Sequence, residues 1–153
     1  MILPFDVIVA AEEAKFGMVF VKMGIVPELA SSHFLVSRMG WGHANEMMLS
    51  GRLYLAAEAQ EKGLCEYVVP GDKLMDKAFS IAAQIAENPS RQLRMTKELL
   101  TQNACTTDLT AAQKRETDAL KICWTTPEHH EAVDAFLNKR KPDFKKAAKS
   151  AAE

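Results

Sequence analysis

Two short stretches of the sequence bring together side chains of the types that enzymes use. One of them, Glu128-His129-His130-Glu131, contains four side chains that can bind a metal ion. Adjacent histidines on a helix point about 100° apart, so they cannot hold one ion together as an i, i+4 pair does. We therefore interpret this stretch as the solvated first turn of a helix, and we predict no metal site.

The other stretch begins at Pro27 and contains one acid and two serines. Glu28 follows the proline directly, and Ser31 and Ser32 come a few positions later. A serine nucleophile needs a base within hydrogen-bond reach, and no base stands at a motif spacing from this pair, so packing at a helix start is the simpler interpretation. An acid in a first turn stabilises the helix dipole, and on spacing alone this structural role is sufficient for Glu28.

The composition is typical of a soluble globular protein. The chain has 153 residues, of which 48% are hydrophobic and 25% are charged, and its net charge is −1. This balance predicts no nucleic-acid surface, and no apolar stretch is long enough to span a bilayer. The first residues lack the positive charge of a signal peptide. Three widely spaced cysteines indicate reduced thiols and a cytoplasmic location.

Strands are predicted only in the first half of the chain. Residues 6–11 and 64–69 are apolar runs typical of buried strands, and residues 16–21 form a third candidate. From Pro27 the pattern becomes helical, and glycine residues end the successive short helices. Longer amphipathic helices are expected over residues 74–85, 89–103, 108–124 and from Thr126 onward, the last with Ala132, Val133, Phe136 and Leu137 facing inward.

This order of elements is uneven for an independent α/β domain, which usually alternates strands and helices. Strands at the front leave unpaired edges unless another segment or another chain covers them. The sequence therefore predicts a part of a larger fold, or close association with a partner chain. We divide it into a strand-containing region over residues 1–70, a helical region over 71–144 and a flexible tail over 145–153.

Several motifs resemble, in the same order, those of the crotonase superfamily, which includes enoyl-CoA hydratases and isomerases. Residues 5–17 resemble C-D-x-x-x-A-x-x-x-A-x-F-G, and residues 24–27 resemble the G-x-x-P that follows it. Residues 49–64 resemble L-T-G-x-x-x-x-A-x-E-A-x-x-x-G-L, residues 67–70 contain the closing V-V-P, and residues 135–144 resemble A-F-x-x-K-R-x-P-x-F. Together these matches cover the chain up to its tail.

The resemblance implies an α/β fold: the carboxy-terminal part of a ClpP/crotonase-like ββα spiral, with few short strands and then a mainly helical trimerisation region. It implies an acyl-CoA thioester as substrate, no further cofactor, and assembly into trimers or hexamers. Family members hold the thioester carbonyl with two backbone N–H groups as an enolate-like oxyanion. Lys139 and Arg140 are expected to meet the CoA phosphates, and Phe136 to lie near the CoA pocket. Dipole compensation at a helix end and core packing remain alternatives for these three residues.

The catalytic residues of the family match this sequence only in part. By the register of the motifs, both oxyanion donors and one of the two hydratase glutamates fall before Met1. The other glutamate position is occupied by Phe20, which cannot carry a proton. Residues 26–32 resemble the S-P-E-G-x-S-S motif of peroxisomal-type Δ3,Δ2-enoyl-CoA isomerases, in which the glutamate is the single base. The resemblance therefore predicts Glu28 as the base, with Phe20 and Ser31 beside the substrate.

Two functions follow from the sequence as expectations. The first is an acyl-CoA-binding enoyl-CoA hydratase/isomerase family protein whose proton shuttle uses one carboxylate rather than two. The alternative is a truncated, non-catalytic family member that acts as an oligomerisation or interaction module. Neither expectation includes a nucleic-acid or membrane partner.

Overall fold

The structure, a computed structural model, describes residues 2–150 and divides into two compact units, one up to Ile81 and one from Ala82. This division lies inside a helix, whereas the sequence placed the end of the strand-containing region at Pro70. No helix within residues 2–150 combines the length and the apolar character needed to cross a membrane.

The described part of the first unit contains four strands of three residues each, namely β1 (Val9–Ala11), β2 (Lys15–Gly17), β3 (Leu53–Leu55) and β4 (Tyr67–Val69). β1 pairs with β4 in parallel, and β2 pairs with β3 in antiparallel orientation, with Phe16 opposite Tyr54. The strands predicted over residues 6–11 and 64–69 are present but much shorter. β3 was not predicted, because its three residues stand between two helical patterns.

Helix α1 (Ser31–Ser50) is the longest element of this unit and contains a kink at Gly40. This glycine has φ 72° and ψ 169°, a conformation that costs glycine little and other residues much more. The sequence predicted two helices separated at Gly40, and the non-helical backbone of this glycine confirms that two helical segments meet there. Helix α2 (Ala56–Glu61) stops before Gly63, where a Cβ atom would lie 3.1 Å from the carbonyl oxygen of Arg38.

The segment before α1 differs most from its prediction. Residues predicted as one extended run over 16–21 divide between β2 and a 3-10 turn, Phe20–Met23, which ends at Gly24 in the left-handed conformation. The helix predicted from Pro27 begins only at Ser31. Proline followed by an acid is typical of a first helical turn, but here the backbone of the next two residues is left-handed and delays the helix.

The core of the first unit lies between α1 and the strands. Leu35, Met39 and Met47 of α1 are at most 6% exposed. They form one cluster with Leu3, Ile8, Ala10, Ala44, Tyr54, Ala56, Ala59, Leu64 and Cys65. Because full burial of a large apolar side chain contributes about 1.5–3 kcal/mol, this cluster is the main source of stability for the unit.

The second unit is helical wherever the structure describes regular elements. It starts within α3 (Leu74–Ala86) and continues with α4 (Ser90–Asn103), α5 (Leu109–Trp124), α6 (Pro127–Leu137) and α7 (Phe144–Ser150). Asp108 caps α5 by accepting from the N–H of Ala111 at 3.0 Å, and Thr126 caps α6 by accepting from the N–H of His129 at 3.3 Å. The predicted helix α6 is confirmed with its cap. Helix α7 covers part of the segment predicted as a flexible tail, and residues 151–153 lie outside the described residues.

The inward face predicted for α6 is wrong for its three large residues, whereas Ala132 is half-buried. Val133, Phe136 and Leu137 are 44%, 82% and 72% exposed, and the buried residue of this helix is Ala135. The apolar stripe has the helical period, but α6 contacts α5 and α7 while its large apolar side chains stay exposed. The large apolar side chains are therefore left uncovered by the residues that the structure describes.

An ion-pair network joins α1, β3 and α2 around the buried ring of Tyr54. The Arg52 guanidinium donates to Glu46 at 2.7 Å and to Glu58 at 2.9 Å, and it lies 3.9 Å from the centre of the Tyr54 ring. Lys62 donates to Glu46 at 3.2 Å. The hydrogen bonds from Arg52, and then from Lys62, lower the pKa of Glu46 to about 2.

This network predicts a loss of stability in acid. A carboxyl group with a pKa of about 2 when folded and 4.5 when unfolded stabilises the fold above pH 4.5, and the contribution is lost as the pH falls towards 2. In Glu46→Gln the titrating group is absent, so the urea midpoint, followed by circular dichroism, should fall less than that of wild type between about pH 5 and about pH 2. Glu61→Gln, at an exposed position of α2, is the control. Equal acid dependence in Glu46→Gln and wild type would contradict the prediction.

Candidate functional site

A cavity of about 300 Å³ opens in the first unit beside the start of α1. Its wall is mainly apolar, with one cationic, one anionic and one hydroxyl side chain. The residues that line it are Ile2, Leu3, Lys15, Phe16, Gly17, Met18, Phe20, Glu28, Ser31 and Leu64. A concave apolar site with a few polar groups suits a ligand that is largely hydrocarbon and reacts at one position.

One wall of this cavity is held in place by Arg38 of α1. Its guanidinium donates to the carbonyl oxygen of Leu3 at 2.8 Å, to that of Phe5, and to the carboxylate of Glu66 at 2.8 Å. The second carboxylate oxygen of Glu66 accepts from the N–H of Ile8 at 2.5 Å. The segment that carries Leu3 into the cavity wall is therefore tied to α1 and to the start of β4.

Glu28 reaches the cavity from the turn that precedes α1. The residue is exposed, and its side chain makes no hydrogen bond or ion pair with any residue in the range 2–150. Its carbonyl oxygen accepts from the N–H of Ser31 at 3.0 Å. Glu28 is therefore a carboxylate without a structural partner in the described chain, which leaves it available to a ligand.

The turn between Glu28 and Ser31 is strained. Leu29 and Ala30 have φ values of 54° and 55°, and neither is a glycine. The left-handed conformation costs an L-residue about 1–2 kcal/mol, because its Cβ approaches the following carbonyl oxygen. Strain of this kind tends to persist where the surrounding structure serves a function, and here it lies between two residues that line the cavity.

Ser31 is the first residue of α1 and the most buried polar residue of this cavity. It is 5% exposed, and its hydroxyl finds no hydrogen-bond partner among residues 2–150. It does not cap the helix, because the cap position is Ala30 and no side chain accepts from the first N–H groups. An unpaired buried hydroxyl costs free energy, and the Ser31 hydroxyl oxygen is closed to solvent.

Phe20 lies in the same cavity as the other two predicted site residues of this unit. It is the first residue of the 3-10 turn and is half-buried. The structure thus brings Phe20, Glu28 and Ser31 together in one cavity. A second carboxylate is absent from the described lining, and the aromatic ring takes part of the apolar wall instead.

The remaining predicted site residues, Phe136, Lys139 and Arg140, belong to the second unit. Lys139 follows α6 with a φ of 51°, and the N–H groups of Lys139 and Arg140 close the helix on the carbonyl oxygens of Phe136 and Ala135. Phe136 is almost fully exposed, so the core-packing alternative does not apply within the described chain.

Arg140 is already paired within this unit. Its guanidinium donates to Glu131 at 2.6 Å and to Asp134 at 2.5 Å. These bonds raise the pKa of Arg140 above its usual value and, with the N–H of Asp143, lower the pKa of Glu131 to about 2. Any phosphate bound by Arg140 would have to compete with both carboxylates.

Some cavity residues were not singled out from the sequence. Leu3, Met18 and Leu64 carry no chemical signal, since apolar residues of this kind are common in any core. Phe16 stands in the F-G part of the family motif, and that position was the one available signal for it. Near Glu128 and the histidines, and elsewhere in residues 2–150, no group of three or more metal-binding side chains is present.

The family profile described as enoyl-CoA hydratase/isomerase matches residues 1–147. This chain belongs to that family. The predicted family and the predicted α/β fold class, with few short strands ahead of a helical region, are thus confirmed. An enoyl-CoA hydratase from Bacillus anthracis has the same fold over 93% of this chain and 55% of its own, with a TM-score of 0.87 and 34% identity.

Curated relatives of this family protein include both hydratases and an isomerase. The 2,3-dehydroadipyl-CoA hydratase of Escherichia coli (strain K12) is 34% identical over 140 residues, which are 92% of this chain and 54% of the relative. The 1,2-epoxyphenylacetyl-CoA isomerase of the same organism is 32% identical, over 91% of this chain and 53% of the relative. The chain therefore spans about half the length of the curated relatives it matches, and the names of the relatives leave hydration and isomerisation both open.

The strained turn predicts that a glycine there stabilises the protein. Ala30→Gly removes about 1–2 kcal/mol of left-handed strain and adds about 0.5–1 kcal/mol of unfolded-chain entropy. The free energy of unfolding, measured with urea, should therefore rise by about 0.5–1 kcal/mol. Ala57→Gly, at an exposed helical position of α2, should lower it by about the same amount. A loss of stability in Ala30→Gly as large as in Ala57→Gly would show that the turn is not strained.

Proposed function

We propose that this family member binds an acyl-CoA thioester with its acyl chain in the cavity of the first unit and moves a proton on that chain with Glu28. The observation that carries the proposal is the cavity itself. Among the described residues that line it, Glu28 is the single carboxylate, and it has no partner in the described chain. The other lining residues provide an apolar surface for a hydrocarbon chain.

One carboxylate is sufficient for the isomerase reaction. In a 3-enoyl thioester the Glu28 carboxylate would take a proton from C2, and the electrons of that C–H bond would move into a dienolate. The resulting carboxylic acid would return the proton to C4, giving the 2-enoyl thioester with the base regenerated. The reaction needs no cofactor beyond the coenzyme A of the substrate. It does need donors for the enolate oxygen, which the family supplies from its amino-terminal half.

Hydration is less well supported by the side chains of this chain. Addition of water to the double bond in this family uses two glutamates, and one of the two positions is held here by Phe20. A benzyl side chain neither orients nor activates water. We therefore favour isomerisation over hydration for this chain. As a separate proposal, we infer a cytoplasmic location.

The test of Glu28 uses Glu28→Gln in a protein joined to the amino-terminal half of a relative, so that the oxyanion donors are present. The glutamine keeps the size of the side chain but cannot accept a proton. Isomerisation of 3-hexenoyl-CoA, followed by absorbance of the conjugated product, should fall by about 10²–10⁴-fold in kcat. Glu12→Gln, an exposed change in the same unit that does not line the cavity, should leave kcat unchanged. Equal turnover by Glu28→Gln and Glu12→Gln would remove Glu28 from the mechanism.

The second candidate function is that of an oligomerisation or interaction module. The observation in its favour is that each unit leaves large apolar side chains exposed. They are Trp41, Leu49 and Phe79 in the first unit and Leu109, Phe136 and Leu137 in the second, each more than 60% exposed. Exposed apolar groups of this size are the kind that contacts with another protein bury. Self-association into trimers or hexamers would cover these side chains, and in this second candidate the chain is not catalytic.

The end of α6 offers a direct test of this second function. Phe136→Ser removes an exposed ring without disturbing the core, so the fold should be retained while self-association weakens by about tenfold or more. Sedimentation velocity over a range of protein concentrations would measure the shift towards smaller species. Gln113→Ser, an exposed change on α5, is the matched control. A wild-type chain that stays monomeric at high concentration would exclude the oligomer.

A further inference from the structure

Part of the cavity wall comes from a segment without regular secondary structure. Residues 2–8 form neither a helix nor a strand, and they supply Ile2 and Leu3 to the lining of the cavity. We call these two residues the Ile2–Leu3 wall. Leu3 is 6% exposed, whereas Phe5 in the same segment is 62% exposed, so packing fixes the segment only in part. Side chains from elsewhere in the unit must therefore help to fix it.

Arg38 of α1 contacts this segment through its guanidinium group. Nε donates to the carbonyl oxygen of Leu3 at 2.8 Å, one terminal nitrogen donates to that of Phe5, and the other donates to Glu66 at 2.8 Å. The side chain is 12% exposed, so these hydrogen bonds are largely shielded from water. A guanidinium presents its donors in a rigid planar fork, whereas the ammonium of a lysine donates from a single point.

The backbone of Arg38 is fixed by close packing on both sides. Leu35 is fully buried and Met39 is 6% exposed, and both belong to the core cluster. A Cβ atom at Gly63 would lie 3.1 Å from the carbonyl oxygen of Arg38, so the two backbones approach closely there. The guanidinium therefore contacts the irregular segment from a rigid support.

Glu66 extends the same set of hydrogen bonds to the next part of the chain. Its second carboxylate oxygen accepts from the N–H of Ile8 at 2.5 Å, and its own N–H donates to the carbonyl oxygen of Ile8 at 3.0 Å. Two residues earlier, Leu64 lines the cavity and is 1% exposed. Arg38 and Glu66 thus connect wall residues that are far apart in the sequence.

We propose that Arg38 is a positioning residue that, together with Glu66, fixes the Ile2–Leu3 wall and thereby determines how strongly the cavity selects acyl chains by length. The inference rests on the proposed function, because it concerns the cavity that receives the acyl chain. A fixed apolar wall gains contact with each methylene that reaches it, whereas a wall that moves away gains less. Arg38 and Glu66 do not line the cavity and take no part in the proton transfer.

The experiment measures how binding depends on acyl-chain length. Butyryl-CoA and octanoyl-CoA are titrated into the full chain by isothermal titration calorimetry, and the ratio of their dissociation constants is compared between variants. Each methylene buried against the wall strengthens binding by about fourfold, so wild type should clearly prefer octanoyl-CoA. In Arg38→Lys, which keeps the positive charge but loses the fork, the preference should fall by about tenfold.

Glu66→Gln tests the other member of the pair and serves where Arg38→Lys does not fold. A glutamine has one acceptor oxygen in place of two, so it cannot accept from both Arg38 and Ile8 as the carboxylate does. The preference for octanoyl-CoA should therefore fall in this variant too. Glu58→Gln is the matched control, because it weakens an ion pair with Arg52 outside the cavity lining, and it should leave the preference unchanged.

The ratio separates a positioning role from a role in stability alone. A residue needed only for stability would change both affinities by the same factor, and the preference would keep its wild-type value. Equal preferences in Arg38→Lys and wild type therefore overturn the inference while leaving acyl-CoA binding intact. Failure of wild type to bind either thioester would overturn acyl-CoA binding by this chain and the inference with it.

Hydrogen–deuterium exchange of the free protein tests the positioning without a ligand. Amides of residues 2–8, which include the Ile8 N–H that donates to Glu66, should exchange about tenfold faster in Arg38→Lys than in wild type. Amides of α2, which make no contact with Arg38 in the described hydrogen bonds, should exchange at the same rate in both proteins. Unchanged exchange over residues 2–8 would overturn the positioning role of Arg38.

Discussion

The cavity depends above all on the contacts of one partly buried arginine. The Arg38 guanidinium donates hydrogen bonds to the carbonyl oxygens of Leu3 and Phe5 and to the carboxylate of Glu66. The same carboxylate accepts a hydrogen bond from the N–H of Ile8. The Arg38 side chain is 12% exposed, so removal of its anionic partner would leave a poorly solvated charge. These bonds fix the segment before β1 against α1. They thereby place a wall of the cavity and set the start of the strand that pairs with β4.

A second set of charged side chains lies near the carboxy-terminal end of the same helix. The guanidinium of Arg52 and the carboxylates of Glu46 and Glu58 surround Tyr54 of β3, and β3 is the strand that pairs with β2 and its Phe16. The charges on α1 are thus tied to the strands that line or support the cavity. The turn at Leu29 and Ala30 comes directly before this helix and keeps a left-handed backbone that costs these two residues free energy.

The parts of this structure that were predictable from sequence are those with a local cause. Asp108 and Thr126 cap α5 and α6 through their own side chains, so a short stretch of sequence is enough to locate them. The late start of α1 has no such cause, since Pro27 and Glu28 are typical of a first turn and the left-handed residues are ordinary Leu and Ala. Whether the apolar face of α6 is buried depends on which other elements cover it, and the sequence of the helix alone does not show this. In the cavity the family motif predicted Glu28, Ser31 and Phe20, but it did not predict Lys15. The remaining apolar walls come from residues distant in sequence.

The charges of the second unit bear on how a CoA thioester could be held. Arg140 is engaged by Glu131 and Asp134, so its affinity for a phosphate is reduced by the cost of releasing two carboxylates. Lys139 makes no ion pair within the described residues, and its left-handed backbone closes α6 by the pattern that usually employs glycine. Lys139 has a left-handed backbone that would cost a glycine less free energy. Leu29 and Ala30 beside Glu28 have the same kind of strained backbone. Of the two residues predicted to contact phosphate, Lys139 is therefore the one without an ion pair in the described chain.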